Sequence, residues 1–415
     1  MNDSPSSYRG RLFVMMVLEI AIWGAWQVKL FPYMGMLGFS AAQQGWVGSV
    51  FGISALVGIF FSNQFADRNF AAERFLAFSH FVGGLALIGC AFVTSFAGFF
   101  GLFLLYGLLY VPTISVANSL AFANLRRPAQ EFGFVRMGGT AGWVAVSWPF
   151  IFLLGDQADA TQTRWVFIVA GLLSLILAGY ALTLPHTPPR QDAVGLDRFA
   201  WLRAARLLAV PHVAVLFTVI LIDAVIHNGY FVVIDGFLTQ VGISAKMTMV
   251  VSSIGQVAEI VTMLVLGWVL QRLGWKWTMI VGVLGHAARY SVFAWFGTPD
   301  HAWLIVAIQV LHGVCYAFFF ATVYIYVDAV FPPDVRASAQ GAANLLILGV
   351  GMVVASQWFP QLAAHYTHAT AGGGTMVDYG QLFRWPVLLA VGATLLLAAC
   401  FRPPTRRPAE APAGS

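Results

Sequence analysis

Gln256 and Glu259 stand in the middle of a long apolar run, Met249 to Arg272, MVVSSIGQVAEIVTMLVLGWVLQR. A spacing of three on a helix puts the amide and the carboxylate on one face. Lys246 and Arg272 bracket the run, and at about 1.5 Å per residue Glu259 lies roughly 20 Å from either charge. That is the depth of a bilayer centre. A carboxylate there costs several kcal/mol unless it is neutral, paired or wet, so an intramembrane acid marks a functional site. The competing reading is a protonated Glu259 hydrogen-bonded to a neighbouring helix for packing alone.

A second constellation is FVRMGGTAGW, in which Arg136, Thr140 and Trp143 fall at i, i+4 and i+7 and form one stripe. A cation, a hydroxyl and a flat ring facing one way suit a polar aromatic ligand. Gly138, Gly139 and Gly142 leave room for a neighbouring helix to approach closely. Arg136 facing Glu259 across the molecule would form a gate. Set against this, Arg136 lies about one turn from the expected helix start and could be a rim arginine. The stretch DAVIHNGYFVVID is unusually polar for a membrane helix, with Asp223, His227, Asn228, Tyr230 and Asp235 around Gly229, which would allow a bend. His312 and Tyr316, at i and i+4, precede three phenylalanines. With a reference pKa near 6.5, His312 could exchange protons, or it could be a pocket wall.

The remaining buried charges suggest pairs. Lys29 with Asp235 is expected at the outer side as a pair or gate, and Asp223 with Arg289 as a structural pair. Asp328 with Arg336 or Arg272 is expected at the cytoplasmic rim as a latch. Glu19, early in its helix, is expected to snorkel toward the cytoplasmic interface.

These residues need helices to hold them in lipid. Of 415 residues, 59% are hydrophobic and 9% charged, which excludes a soluble globular chain and indicates an all-α, polytopic membrane protein. Apolar windows long enough to span predict twelve segments, 11–36, 42–66, 73–95, 97–123, 132–155, 164–184, 209–239, 246–272, 276–297, 302–330, 337–364 and 382–401. The long connection HTPPRQDAVGLDRFAWLRAAR divides them into an N-terminal six-helix bundle (1–184), a cytoplasmic linker (185–208) and a C-terminal six-helix bundle (209–415). Lys and Arg cluster in the linker, near both termini and in alternate loops, so both termini are expected in the cytoplasm. The net charge of +5 is therefore a topology signal rather than a nucleic-acid footprint. Cys90, Cys315 and Cys400 lie far apart in apolar runs and form neither a disulfide framework nor a metal-ligand spacing. The first apolar run is too long for a signal-peptide core, so the first helix is expected to be retained.

The halves also repeat. Asp67-Arg68 after segment two matches Gln271-Arg272 after segment eight at an offset of 204. Both loops resemble the G-x-x-x-D-R-x-G-R-K pattern of the major facilitator superfamily, although Asn63 replaces the first glycine in one copy and Gln271 the acid in the other. In that fold the substrate sits near mid-membrane between halves that rock around it.

More specifically, the chain resembles the bacterial nucleoside:proton symporters of that superfamily. The likeness runs through WGAW at 23–26, Tyr33-Met34, ADR at 66–68, YVPT at 110–113, RMGGTAGW at 136–143, LTLPH at 182–186, Gln256 with Glu259, and VRASAQG at 335–341. It implies substrate contacts at Arg136, Thr140, Trp143, Gln256 and Glu259, import of nucleosides driven by protons, and a place in the bacterial inner membrane. Two departures stand out. Segment seven offers His227, Asn228 or Tyr230 where relatives carry Gln and Asn. Segment ten has Ala317 where relatives carry an acid, with Tyr316 at an aromatic position and His312 at a tyrosine, which leaves Glu259 for proton coupling and His312 as a possible substitute. A transporter of another small polar solute, such as a sugar, nucleobase or organic anion, is the alternative. No nucleotide-binding loop, metal site or Ser-His-Asp pattern points to an enzyme, no cofactor is implied, and a monomer in a lipid bilayer is expected.

Overall fold

The computed structural model describes residues 8–189, 209–331, 333–370 and 372–403, and the side chains of 59–68, 129, 332–335, 337 and 338 lie outside that description. The described chain is helical almost throughout. The long helices are α1 (Tyr8–Met36), α2 (Val50–Asn69), α3 (Ala72–Cys90), α4 (Phe96–Asn124), α5 (Pro128–Ser147), α6 (Ala160–Ala181) and α7 (Pro211–Gln240). Thr248–Phe296 runs on through Gly274, whose φ of 69° breaks it into two arms, α8 before and α9 after. Then come α10 (Pro299–Val330), α11 (Ala339–His365) and α12 (Tyr379–Cys400). These correspond in order to the twelve expected segments, with the largest differences at α2, which starts at Val50 rather than 42, and α5, which ends at Ser147 rather than 155. Between α11 and α12, outside the expected segments, stands a small hairpin, β1 (Thr367–Ala369) with β2 (Thr375–Val377), turned at Gly373 with φ 81°.

Local chemistry sets the helix ends. Proline, whose fixed φ and missing N–H suit a first turn, opens α5 and α7. Ser40 and Gln43 form a reciprocal capping box on the short helix Ala41–Gly48 ahead of α2. Asp159 caps α6 and Asp378 caps α12 by accepting from backbone N–H groups.

Within lipid there is little hydrophobic drive between helices, so close packing at small residues holds the bundle. A Cβ on Gly142 would lie 2.1 Å from the Val17 carbonyl and one on Gly138 2.8 Å from that of Phe13, so α5 presses its glycines onto the α1 backbone. Glycines also seat α10. Gly313 abuts the backbone at Glu259 and Gly255 abuts His312 on the α8 side, while Gly282 and Gly285 meet Phe319 and Cys315 on the α9 side. α10 is irregular where it is gripped, with π-helical turns at Tyr316–Ala321; Leu345–Val350 in α11 is also π-helical. Such turns occur disproportionately at functional sites. Large apolar side chains, Phe152 at 89% and Leu264 at 79% exposure among them, face outward as a lipid-facing surface requires.

Gly229 does not bend α7. The helix is continuous, and a Cβ at 229 would fall 2.1 Å from the Phe359 ring, so this glycine makes room for α11.

Candidate functional site

The proline start places Arg136 eight residues into α5, about 12 Å from the helix end at 1.5 Å per residue. It is deeper than the sequence suggested, and its side chain is exposed in the space between the halves. Glu259, on α8, is half-buried, and Arg136 is the charge that acts on it across that space. Among the described residues no hydrogen bond or ion pair joins the two. Tyr316 of α10 is within electrostatic reach of both, and Tyr324, which sequence reasoning missed, lies within reach of Arg136 and Tyr316. Gly139 keeps this arrangement open, since a Cβ there would sit 2.9 Å from Arg136 Nη1. Thr140 is half-buried on the same stripe. Trp143 is packed more tightly than an open stacking face would be. It is 7% exposed, lies against Gly24, and meets Trp23 and Phe231 at 5.8 Å between ring centroids.

One turn from Glu259, Gln256 reaches His312, with 3.4 Å between Nε2 atoms, while its Oε1 is buried without a partner among the described residues. His312 belongs to a larger cluster. Arg289 Nη1 donates to His312 Nδ1 at 2.7 Å, Nη2 lies 3.4 Å from His286 Nδ1, and the guanidinium lies 4.4 Å from the centre of the Tyr230 ring. His227 stacks on His312 at 4.8 Å, and Tyr230 donates to Gln309 Oε1 at 2.9 Å. The expected direct pairing of Asp223 with Arg289 is corrected by this geometry. His286 stands beside Asp223, its Nε2 3.7 Å from Asp223 Oδ2, and neither carboxylate oxygen has a hydrogen bond among the described residues. His286 was not predicted, because its three-residue spacing from Arg289 lies in an ordinary apolar run. Asn228 donates to the carbonyls of Ala224 and Ile347, which ties α7 to α11. It also lines a small cavity between the halves with Trp26, Gln27 and Ser356, apart from Arg136 and Glu259.

At the end of the bundle away from the termini, Lys29 meets Asp235 at 2.7 Å, both nearly fully buried. Lys29 also donates to the Ala245 carbonyl at 2.8 Å, and Thr248 donates to Asp235. Beside this pair Lys246 meets Asp156 at 2.9 Å, Trp148 donates to Ser253, and Gln357 donates to Ser49. Gly45, Gly48 and Gly52 let the α2 region close on Gln357, Ser356 and Gly349. These contacts join the first six helices to the last six and seal that end. At the other end Asp328 pairs with Arg336 at 3.4 Å, largely in the open, while Arg272 instead stacks over Trp268. Asp67 and Arg68 have side chains outside the described residues.

Glu19 does not snorkel. It is 1% exposed, accepts from Thr113 at 2.7 Å, and meets His80 Nε2 at 2.9 Å, with His80 Nδ1 against Ser174. Three helices converge on it, and a charge buried with partners stays where its partners are.

A family model described as Nucleoside H+ symporter matches residues 7–406. The putative nucleoside transporter YegT of Escherichia coli (strain K12) is 35% identical over 357 residues, 83% of this chain and 82% of its own. The xanthosine permease of the same organism is 29% identical over 371 residues, covering 83% and 85%. Among solved structures, the crystal structure of nucleoside transporter NupG superposes with a TM-score of 0.81 at 23% identity, over 97% of this chain and 100% of its own. A D-xylose-proton symporter superposes at 0.72 and 15% identity, over 95% and 98%.

Proposed function

Since the chain belongs to the nucleoside H+ symporter family, a group of secondary active transporters with the major facilitator fold, we propose that its nucleoside site is the space bounded by Arg136, Thr140, Gln256, Glu259 and Tyr316, with Glu259 as the proton-coupling group. The protein imports nucleosides with protons by alternating access and is not an enzyme. The observation that carries the site is the pair of opposite charges, Arg136 on the first half and Glu259 on the second, facing one gap with no hydrogen bond or ion pair to either among the described residues. Ionised, Glu259 draws Arg136 and its half inward. Protonated, it loses that attraction and can donate to a ligand. Proton loading and closure of the gap are thereby linked, with 1–184 and 209–415 moving about the site and 185–208 joining them. With Lys29–Asp235 and Lys246–Asp156 sealing one end, this is the inward-open state of a monomer in the inner membrane with both termini in the cytoplasm.

The geometry favours Glu259 over His312 as the proton carrier. His312 Nδ1 already accepts from Arg289, an obligate donor, so a second proton on that ring would have to break the bond. The test is uptake in proteoliposomes under an imposed pH gradient. Glu259→Gln should bind nucleoside yet fail to concentrate it, because an amide hydrogen-bonds but carries no exchangeable charge. Concentrative uptake by Glu259→Gln would remove Glu259 from the coupling step. Uptake of a sugar or nucleobase in place of nucleosides in the same panel would change the cargo and keep the fold.

A further inference from the structure

Arginine offers only donors and stays charged. Because Arg289 Nη1 donates to His312 Nδ1 at 2.7 Å, that nitrogen is bare and the ring proton sits on Nε2. The Nε2–H points at the Gln256 carboxamide 3.4 Å away, which must then offer its oxygen. The O and N of an amide are told apart by their hydrogen bonds. The placement that satisfies His312 turns Oε1 toward it and puts the NH2 at the end of the amide that has no partner among the described residues. The other branch has the same polarity, with His286 Nδ1 facing Arg289 and Nε2–H turned to Asp223. Arg289 therefore sets the tautomers outward from a fully buried centre.

We propose that His312, clamped by Arg289, is a positioning residue that holds Gln256 with its NH2 toward the substrate, so that the site selects nucleosides whose base presents a carbonyl over those that present an amino group there. This rests on the nucleoside site proposed above. Three residues along the same face, Glu259 keeps an acceptor oxygen whether or not it carries the proton. A fixed donor beside an acceptor matches the C=O next to N–H of uridine or inosine and opposes the NH2 next to bare nitrogen of cytidine or adenosine. A donor facing a donor leaves both unpaired in a closed site, and sites built on buried polar groups discriminate most strongly against such a mismatch.

The matched pairs uridine/cytidine and inosine/adenosine test this by equilibrium binding to the purified full-length protein, in the wild type and in His312→Phe and His312→Tyr. The ratio within each pair is the readout, so a loss of folded protein cancels. In the wild type the carbonyl member should bind about tenfold or more tightly. In His312→Phe the amide is free to turn and the ratio should fall toward one. In His312→Tyr, whose hydroxyl can donate to the Gln256 oxygen, part of the ratio should return. A wild type that binds nucleosides without this preference, or a His312→Phe that keeps it in full, overturns the inference and leaves the nucleoside site standing. Failure of all four nucleosides to bind the wild type overturns both.

Discussion

Removing one partner of the Lys29–Asp235 pair should open the sealed end. The 2.7 Å contact is nearly dry, Lys29 spends a second hydrogen on the Ala245 carbonyl, and Thr248 supports Asp235. Stranding one charge of a buried pair costs about 3–5 kcal/mol. The pair exists only while the two halves meet there, so Asp235→Asn loads that cost on the sealed state. At about 1.4 kcal/mol per factor of ten, the balance between sealed and open states should move by roughly two to three and a half powers of ten. Ser356, 3% exposed, lines the small cavity beneath the seal, and among the native cysteines Cys90 and Cys315 are buried while Cys400 is exposed. In a Cys400→Ser background carrying Ser356→Cys, a membrane-impermeant maleimide applied from outside should label Asp235→Asn much faster than its parent. Replacing both partners, as in Lys29→Met with Asp235→Leu, strands no charge and should return labelling toward the parent rate. Equal labelling of Asp235→Asn and parent would show that the pair does not hold this end shut.

Arg136→Ala should weaken nucleoside binding by about 1.5–3 kcal/mol, the range for a hydrogen bond to a charged group, and equilibrium binding to folded protein with unchanged affinity would return Arg136 to the rim. Gly142→Leu should separate α5 from α1, because even a Cβ there falls 2.1 Å from the Val17 carbonyl; the expected result is a lower Tm in detergent, overpacking costing about 1–3 kcal/mol or more. Glu19→Leu strands His80 Nε2, while Thr113 keeps the Tyr110 carbonyl as acceptor, and should also lower Tm, at about 1–3 kcal/mol for the unsatisfied group, while leaving uptake per folded molecule intact if the cluster is structural. The Lys246 ammonium hydrogen-bonded to Asp156 holds that carboxyl below the usual carboxylate range. Its stabilising effect is present above the unfolded value near 3.9 and is lost only as pH falls through the lower folded value. Asp156→Asn should therefore leave any difference in outside labelling between pH 8 and pH 5 unchanged.

Periodicity and hydropathy were enough to place the twelve helices, because a bilayer demands long apolar windows and charged residues mark their ends. Lys29 with Asp235 was legible for the same reason, as two isolated charges at one depth in helices expected to meet. Partners separated by a third residue were not. His286 sits between Asp223 and Arg289, and His80 reaches Glu19 from another helix, and in both cases a lone histidine in an apolar run gives no signal of direction. Gly229 misled because glycine serves bending and close packing alike, and only the Phe359 ring decides between them. The π-helical turns were invisible for a related reason, since their one extra residue leaves an all-apolar pattern unchanged.

Those turns have a consequence for how α10 and α11 can move. A π-turn accommodates one residue more than an α-turn, so every side chain beyond it is rotated by about 100° relative to an uninterrupted helix. Such a surplus residue behaves like a ruck in a carpet. It can be passed one turn along the rod at little change in length, and the side chains it passes swing as on a camshaft. In α10 the surplus lies between His312 on one side and Tyr324 on the other. Deleting one residue within Tyr316–Ala321 should remove the ruck and leave His312 and Tyr324 in their native phase, so cysteines placed at Tyr324 and Asn344, hydrogen-bonded at 2.6 Å in the native chain, should still cross-link, whereas deleting two should swing Tyr324 by about 100° and lose the bridge.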